Sequence, residues 1–299
     1  MASWLQPLVS HPSLFQLVVA ARERLTRAGV PPDQAGIDAE VLARHVLGWD
    51  RATYIAERDR EVHHDRRHAY EAAIVRRERR EPVAYITGHR EFWGLDFLVS
   101  PAVLIPRPET EFIVEAAVAR LGDRGRAWAI ADVGTGSGCL AVALAVELPD
   151  ARVTATDISD AALALARANA ERLGVARRVT FARTSMLDDA PGPFDLVVAN
   201  PPYVPRSHQP TLSPDVRDHE PAVALYGTGD DGLDLIRALL LQAPSRLSAD
   251  GLLLMEFGFG QGDAVRAAAA AASGLETLDV LRDLQGHERT LVARKSPST

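Results

Sequence analysis

Asn200-Pro201-Pro202-Tyr203 is the tetrapeptide whose residue types most directly define a chemistry. It follows the apolar run Phe194 to Ala199, which reads as a buried strand. Two consecutive prolines fix the backbone and remove two N–H donors, so carbonyl acceptors are left at the strand's carboxyl end. The Asn200 side-chain oxygen and the Pro201 carbonyl can each accept from one N–H of a planar NH2 group, and Tyr203 offers a flat face for stacking. Two acceptors and a platform select an NH2 attached to an sp2 carbon. Such a nitrogen is a poor nucleophile because its lone pair is delocalised. Holding both N–H bonds in fixed directions aims that lone pair at an electrophilic carbon without a strong base.

A second constellation lies upstream. Ile130-Ala131-Asp132-Val133-Gly134-Thr135-Gly136-Ser137-Gly138 joins a strand to a helix, the ligand position of an open α/β sheet. Cys139 stands where a dinucleotide fingerprint would carry its third glycine, and no G-K-S/T follows, so pyrophosphate binding is disfavoured. Asp157, at the end of the next strand, is placed to accept hydrogen bonds from both ribose hydroxyls of an adenosine. Separately these are a tight turn and a polar residue before the Ser159 helix cap; together, on consecutive strands, they resemble the S-adenosylmethionine-binding core of class I methyltransferases. The resemblance implies that Gly134, Thr135, Gly136, Ser137 and Gly138 lie under the amino acid moiety of S-adenosyl-L-methionine. It further implies that Asp157 holds the ribose, that Asn200 touches the cofactor and that Met186 lies against the adenine. On its own chemistry Met186 is equally a core methionine.

The elements that must carry these residues follow from periodicity. Leu14, Leu17, Val18, Ala21 and Leu25 recur at helical spacing, and Gly29, Pro31 and Pro32 stop that helix. Helices over Asp38 to Leu47 and Tyr70 to Arg80 complete a small N-terminal bundle, with the Arg76, Arg77, Arg79, Arg80 run read as a solvated helix end, a partner-binding patch being the less favoured alternative. From Tyr85 the alternation of Phe92, Leu95, Phe97 and Val99 indicates a hairpin, followed by a loop containing Pro101, Pro106 and Pro108. Beyond it strands and helices alternate to the end of the sequence. That alternation predicts an α/β fold, a mostly parallel seven-stranded doubly wound sheet of the class I methyltransferase kind, beside the small helical domain. The expected division is a helical, substrate-docking domain over 1–84, a hairpin and Pro-rich linker over 85–108, and the catalytic domain over 109–299.

Composition narrows the partners. The 299 residues carry 33 Lys plus Arg against 40 Asp plus Glu, a net charge of −7. Residues 1–90 hold 14 arginines and 12 acids, whereas 91–299 hold 19 basic and 28 acidic residues. An acidic catalytic part lacks the basic stripe that phosphates require, which argues against a nucleic acid partner. No apolar run approaches the roughly 18 residues of a membrane helix. The first basic residue is Arg22, so no charged segment precedes an apolar run as in a secretory signal. One cysteine, Cys139, excludes an intrachain disulfide and points to a reduced, cytoplasmic setting; it reads as a packing residue. The sole lysine, Lys295, leaves no Schiff-base candidate, and the pair His63 and His64 lies in a polar stretch, so no metal site is expected.

The remaining motifs identify a family. Arg90-Glu91-Phe92-Trp93-Gly94, the run from Pro101 to Glu111, His219-Glu220-Pro221-Ala222-Val223-Ala224-Leu225 and Asp283-Leu284-Gln285-Gly286 resemble the peptide chain release factor glutamine methyltransferases. The resemblance covers essentially the whole chain. It implies methyl transfer to the glutamine side-chain nitrogen in the Gly-Gly-Gln motif of class 1 release factors. Asn200, Pro201, Pro202 and Tyr203 would then hold the glutamine. Arg107, Glu109 and Thr110 belong either to a loop closing over cofactor or substrate, or to a structural turn. Two alternatives share the chemistry: a ribosomal protein glutamine methyltransferase, and an adenine or guanine amino methyltransferase, which the charge distribution disfavours.

Overall fold

The computed structural model describes residues 12–297. The chain forms two compact units, the first ending at Gly88 and the second beginning at His89. In the first, α1 (Leu14–Arg27) opens with a capping box: the Ser13 hydroxyl accepts from the Gln16 N–H, and the Gln16 side chain accepts from the Ser13 N–H at 2.9 Å. Leu14, Val18, Ala21 and Leu25 are buried as the spacing requires. Helix α2 (Pro32–Leu47) starts earlier than the sequence reading places it, because Pro32 serves as its first residue, where the missing N–H has no helical partner to lose. Helices α3 (Arg51–Glu57), α4 (His64–Glu78) and α5 (Val83–Thr87) follow. Tyr85 is therefore helical, and the change to strand comes after Gly88.

The arginine run corrects one expectation. Arg77 is 3% exposed, and its Nε donates to Asp38 Oδ2 at 2.6 Å on the buried face of α2. Gln34 donates to the other Asp38 oxygen, also at 2.6 Å. A carboxylate buried among Ala35, Ala39 and Leu42 must be paired, and an arginine one helix away supplies the partner. Arg76 pairs with Glu81 at 2.8 Å and Arg80 donates to the Gly29 carbonyl at 2.6 Å; Arg76 and Arg79 are exposed, so the run is a solvated end except at Arg77, which the fold buries.

The second unit begins with the hairpin β1 (His89–Phe92) and β2 (Leu95–Leu98), whose Phe92 and Phe97 rings meet edge to face with centroids 6.1 Å apart. A one-turn 3-10 helix, Pro108–Thr110, leads into α6 (Glu111–Leu121), a half-buried helix whose periodicity the proline-rich approach conceals. The alternating elements are then β3 (Ala129–Val133), α7 (Cys139–Glu147), β4 (Arg152–Asp157), α8 (Asp160–Arg172), β5 (Val179–Arg183) and β6 (Phe194–Ala199). Two short helices, α9 (Pro214–His219) and α10 (Ala222–Leu225), precede α11 (Asp234–Arg246), β7 (Leu247–Glu256), α12 (Gly262–Ala271), β8 (Leu275–Arg282) and β9 (Glu288–Lys295).

The seven-stranded sheet runs β5-β4-β3-β6-β7-β9-β8; β9 is antiparallel to both neighbours and the other pairs are parallel. Residue alternation divides the core between the two faces. Ile130, Leu196, Val198 and Leu254 pack with α6 and α7, while Ala131, Val197, Leu253 and Met255 pack with α11 and α12. Strand order reverses between β3 and β6. That switch point fixes where a ligand crevice opens, outside the carboxyl ends of those strands.

Candidate active site

Sheet register brings the three predicted constellations together. Val133 pairs with Thr156 on one side and with Ala199 on the other, so the glycine loop, Asp157 and Asn200 leave adjacent strand ends at one level. They line a single cleft with Asp132, Met186 and Thr110. Gly134 (φ +72°) and Gly136 (φ +55°) adopt left-handed backbone, and the space where a Gly134 side chain would stand is open. Asp157 steadies the loop, accepting from the Gly136 N–H at 3.0 Å and the Ser159 N–H at 2.9 Å. Each carboxylate oxygen retains a further lone pair for a ligand hydroxyl.

Gly138 is the one predicted loop residue absent from the cleft wall. Its place for a Cβ lies 3.0 Å from Ala166 Cβ at φ +81°, so it serves close packing of α8 against the loop. Gly138→Ala is expected to destabilise the fold by about 2–4 kcal/mol, from left-handed strain and overpacking together. Urea unfolding checks this, with an unchanged midpoint as the contrary result. Asn169, fully buried on α8, completes the support: its amide bonds both the N–H and the carbonyl of Leu98 and donates to the Ser137 carbonyl at 2.8 Å. No motif announces Asn169, since its partners are backbone groups distant in sequence.

Asp132, which carries no signal of its own within the strand's sequence, is 1% exposed and lines the cleft. One oxygen accepts from the Thr135 hydroxyl at 2.6 Å and the Ala141 N–H at 3.1 Å, while Oδ1 and the neighbouring Ser137 Oγ have no partner. Burial raises the Asp132 carboxyl to about 7. A buried acidic oxygen and a hydroxyl awaiting partners fit the ammonium of an amino acid group, and the open glycine backbone beside them leaves room for its chain. Met186 and the exposed Ile158, which the sequence reading passed over, border the part of the cleft next to Asp157. Cys139 also lines it, but burial pushes its thiol up to about 12, so no thiolate is populated near neutrality.

A second cleft meets the first at Leu104, Arg107, Asn200, Pro202 and Ala224. Pro201, Tyr203 and Glu109 face only this second cleft of the two. The loop carrying Arg107 is strapped across by buried Glu220, which accepts from the Arg107 guanidinium at 2.5 Å and from the Ile105 N–H at 3.2 Å. That contact joins the proline-rich loop to the His219–Leu225 segment. Beneath Asn200 the floor is polar: its Nδ2 donates to Thr110 Oγ1 at 2.9 Å, the Thr110 hydroxyl donates to Glu256 at 2.7 Å, and the Tyr203 hydroxyl donates to Glu256 at 3.1 Å. The Tyr203 ring packs so closely on Gly258 that a Cβ there would lie 3.0 Å from it.

Among the described residues no group of three or more His, Cys, Asp or Glu is placed to hold a metal ion, and no helix is long and apolar enough to cross a membrane. The sheet order, the switch-point glycine loop and the paired clefts define a class I methyltransferase fold. Residues 16–88 match the family model described as PrmC N-terminal domain, and residues 110–213 match Methyltransferase small domain. The chain is 42% identical to the release factor glutamine methyltransferase of Koribacter versatilis, over 96% of this chain and 100% of that one. It is 44% identical to the enzyme of the same name from Moorella thermoacetica, over 94% and 98%. Among solved structures, the hMettl16 catalytic domain in complex with a MAT2A 3′UTR hairpin shares the fold at 18% identity, with a TM-score of 0.55 over 73% of this chain and 81% of that one. The chain belongs to the release factor glutamine methyltransferase family.

Proposed function

We propose that this enzyme transfers a methyl group from S-adenosyl-L-methionine to the side-chain amide nitrogen of the glutamine in the Gly-Gly-Gln motif of class 1 release factors. The carrying observation is that two clefts meet at Asn200 and Pro202. The first would take the cofactor, with Asp157 on the ribose, Ile158 and Met186 beside the adenine, and Asp132 with Gly134 to Ser137 at the amino acid end. Bound there, the cofactor supplies an electrophilic methyl group. The second cleft would take the glutamine, whose amide N–H bonds are accepted by Asn200 Oδ1 and the Pro201 carbonyl while the Tyr203 ring backs its plane.

These acceptors would fix the nitrogen's orientation before reaction; as the methyl leaves the cofactor's sulfur for the nitrogen, the now acidic nitrogen would give its proton to water, which removes any need for a strong base. Arg107, Glu109 and Thr110 belong to the loop that closes this meeting point. The helical region up to about residue 84 would dock the protein substrate, with 109–299 performing transfer in the cytoplasm. Incubation with labelled S-adenosylmethionine and purified release factor, ribosomal protein or nucleic acid tests the reading. Label at the Gly-Gly-Gln glutamine is the expected result; label confined to ribosomal protein or nucleic acid overturns it.

A further inference from the structure

We infer that Glu256 is the positioning residue of the site, acting through the Thr110 hydroxyl to set which way the Asn200 amide faces and through the Tyr203 hydroxyl to hold the stacking ring. The inference deepens the reading above and rests on it for the identity of the methyl acceptor. Glu256 is 1% exposed at the end of β7, and its two oxygens receive the hydroxyls of Thr110 and Tyr203, one each. An ionised carboxylate only accepts, so the single hydrogen of Thr110 must point at Glu256. Thr110 Oγ1, itself buried, then has only lone pairs for Asn200, and the Asn200 NH2 must turn toward it. Asn200 Oδ1 is left facing the clefts as an acceptor. With the amide reversed, an NH2 would confront the substrate's NH2, donor against donor.

The charged and titratable groups around Glu256 include Arg289 of β9, Glu109 of the 3-10 turn, Tyr203 and the Cys139 thiol, with the Thr110 hydroxyl as a neutral hydrogen-bond donor. Asp283 receives Arg289 Nε at 3.0 Å and so holds that guanidinium in place, a role for the Asp283-Leu284-Gln285-Gly286 turn that the cofactor and substrate residues leave unexplained. Burial raises the Glu256 carboxyl to about 7, opposed by the two hydroxyls and Arg289 and assisted by Glu109. Above that pH the carboxylate enforces the acceptor orientation. Below it the carboxylic acid can donate to Thr110, which frees the Thr110 hydrogen for Asn200 Oδ1 and permits the reversed amide. Turnover at saturating substrates should therefore fall as pH drops through about 7.

Glu256→Gln replaces one acceptor oxygen by a donor. With the full-length enzyme and release factor, we expect kcat at pH 8 to fall at least tenfold with KM for S-adenosylmethionine within twofold, and the acidic limb of kcat to disappear. Thr110→Val, which removes the relay and keeps the Glu256 carboxyl, though without its Thr110 hydrogen bond, should lose as much, and Thr110→Ser should recover most of that loss. In parallel, the side-chain NH2 resonances of Asn200, identified by their absence in Asn200→Asp, should titrate near pH 7 in the wild type and stay flat in Glu256→Gln. The resonance measurement needs no methyl acceptor. A wild type inactive on release factor thus overturns the proposed substrate, while the amide titration still decides the role of Glu256. Retention of the acidic limb in Glu256→Gln, kcat within twofold of wild type in Thr110→Val, or an Asn200 amide that does not titrate in the wild type overturns the inference.

Discussion

Asn200→Ala is expected to lower the single-turnover rate of methyl transfer by about 100- to 1,000-fold, the range seen when one preorganised polar group is removed from a reacting centre. The residue stands where the two clefts meet, and its amide is fixed by Thr110 at 2.9 Å, so truncation removes an acceptor that is already aimed. The glutamine nitrogen would keep the Pro201 carbonyl but lose the second direction that orients its lone pair, and loss of alignment alone is worth about two orders of magnitude. Cofactor affinity should change much less, because the glycine loop, Asp132 and Asp157 are untouched. Rapid quench with labelled cofactor, paired with calorimetry on the same variant, separates the effects. A wild-type rate in a variant that still binds cofactor removes Asn200 from the reaction.

The sheet and its ligand loops were legible in the sequence because their signals are local. A strand ending in glycines, a second ending in Asp157 and a third running into Asn200-Pro201-Pro202-Tyr203 each announce themselves within a few residues, and parallel pairing aligns their ends. The helical boundaries were less legible where proline has two meanings: Pro32 begins a helix as readily as it ends one, and the 101–108 loop masks the start of α6. What the sequence hid is the second layer of contacts. Asn169, Glu220 and Glu256 act over separations of 71, 115 and 146 residues, and only the folded chain reveals their partners. The buried Arg77–Asp38 pair escaped for the same reason: charge patterning along one helix does not disclose a carboxylate on another.

These distant contacts share a logic. Thr110 is donor to Glu256 and acceptor from Asn200, and Arg107, three residues earlier, is tied to Glu220. The proline-rich loop is thereby anchored at two points, Arg107 and Thr110, both of which line the cleft beside Asn200. A loop held by two such anchors lines both clefts where they meet.

Asp157→Ala should weaken S-adenosylmethionine binding by about 1.5–3 kcal/mol, or roughly 10- to 150-fold in Kd, the scale of charge-assisted bonds to a pair of hydroxyls. Part of that loss would come from the loop itself. The carboxylate already accepts from Gly136 and Ser159, so alanine both deletes the ribose acceptor and releases two backbone donors. Asp157→Asn divides the contributions: its oxygen can keep one backbone bond, but its NH2 turns one acceptor into a donor and the charge is gone. A Kd between those of wild type and Asp157→Ala is therefore expected for Asn. The loop keeps other ties in both variants, the Thr135 N–H to the Thr156 carbonyl at 2.8 Å and the Asn169 bond to Ser137, so the unfolding midpoint should move far less than the binding constant. Calorimetric affinity equal to wild type in Asp157→Ala would take Asp157 out of the cofactor site; a matched loss of affinity and of folding stability would make it a residue of the loop alone.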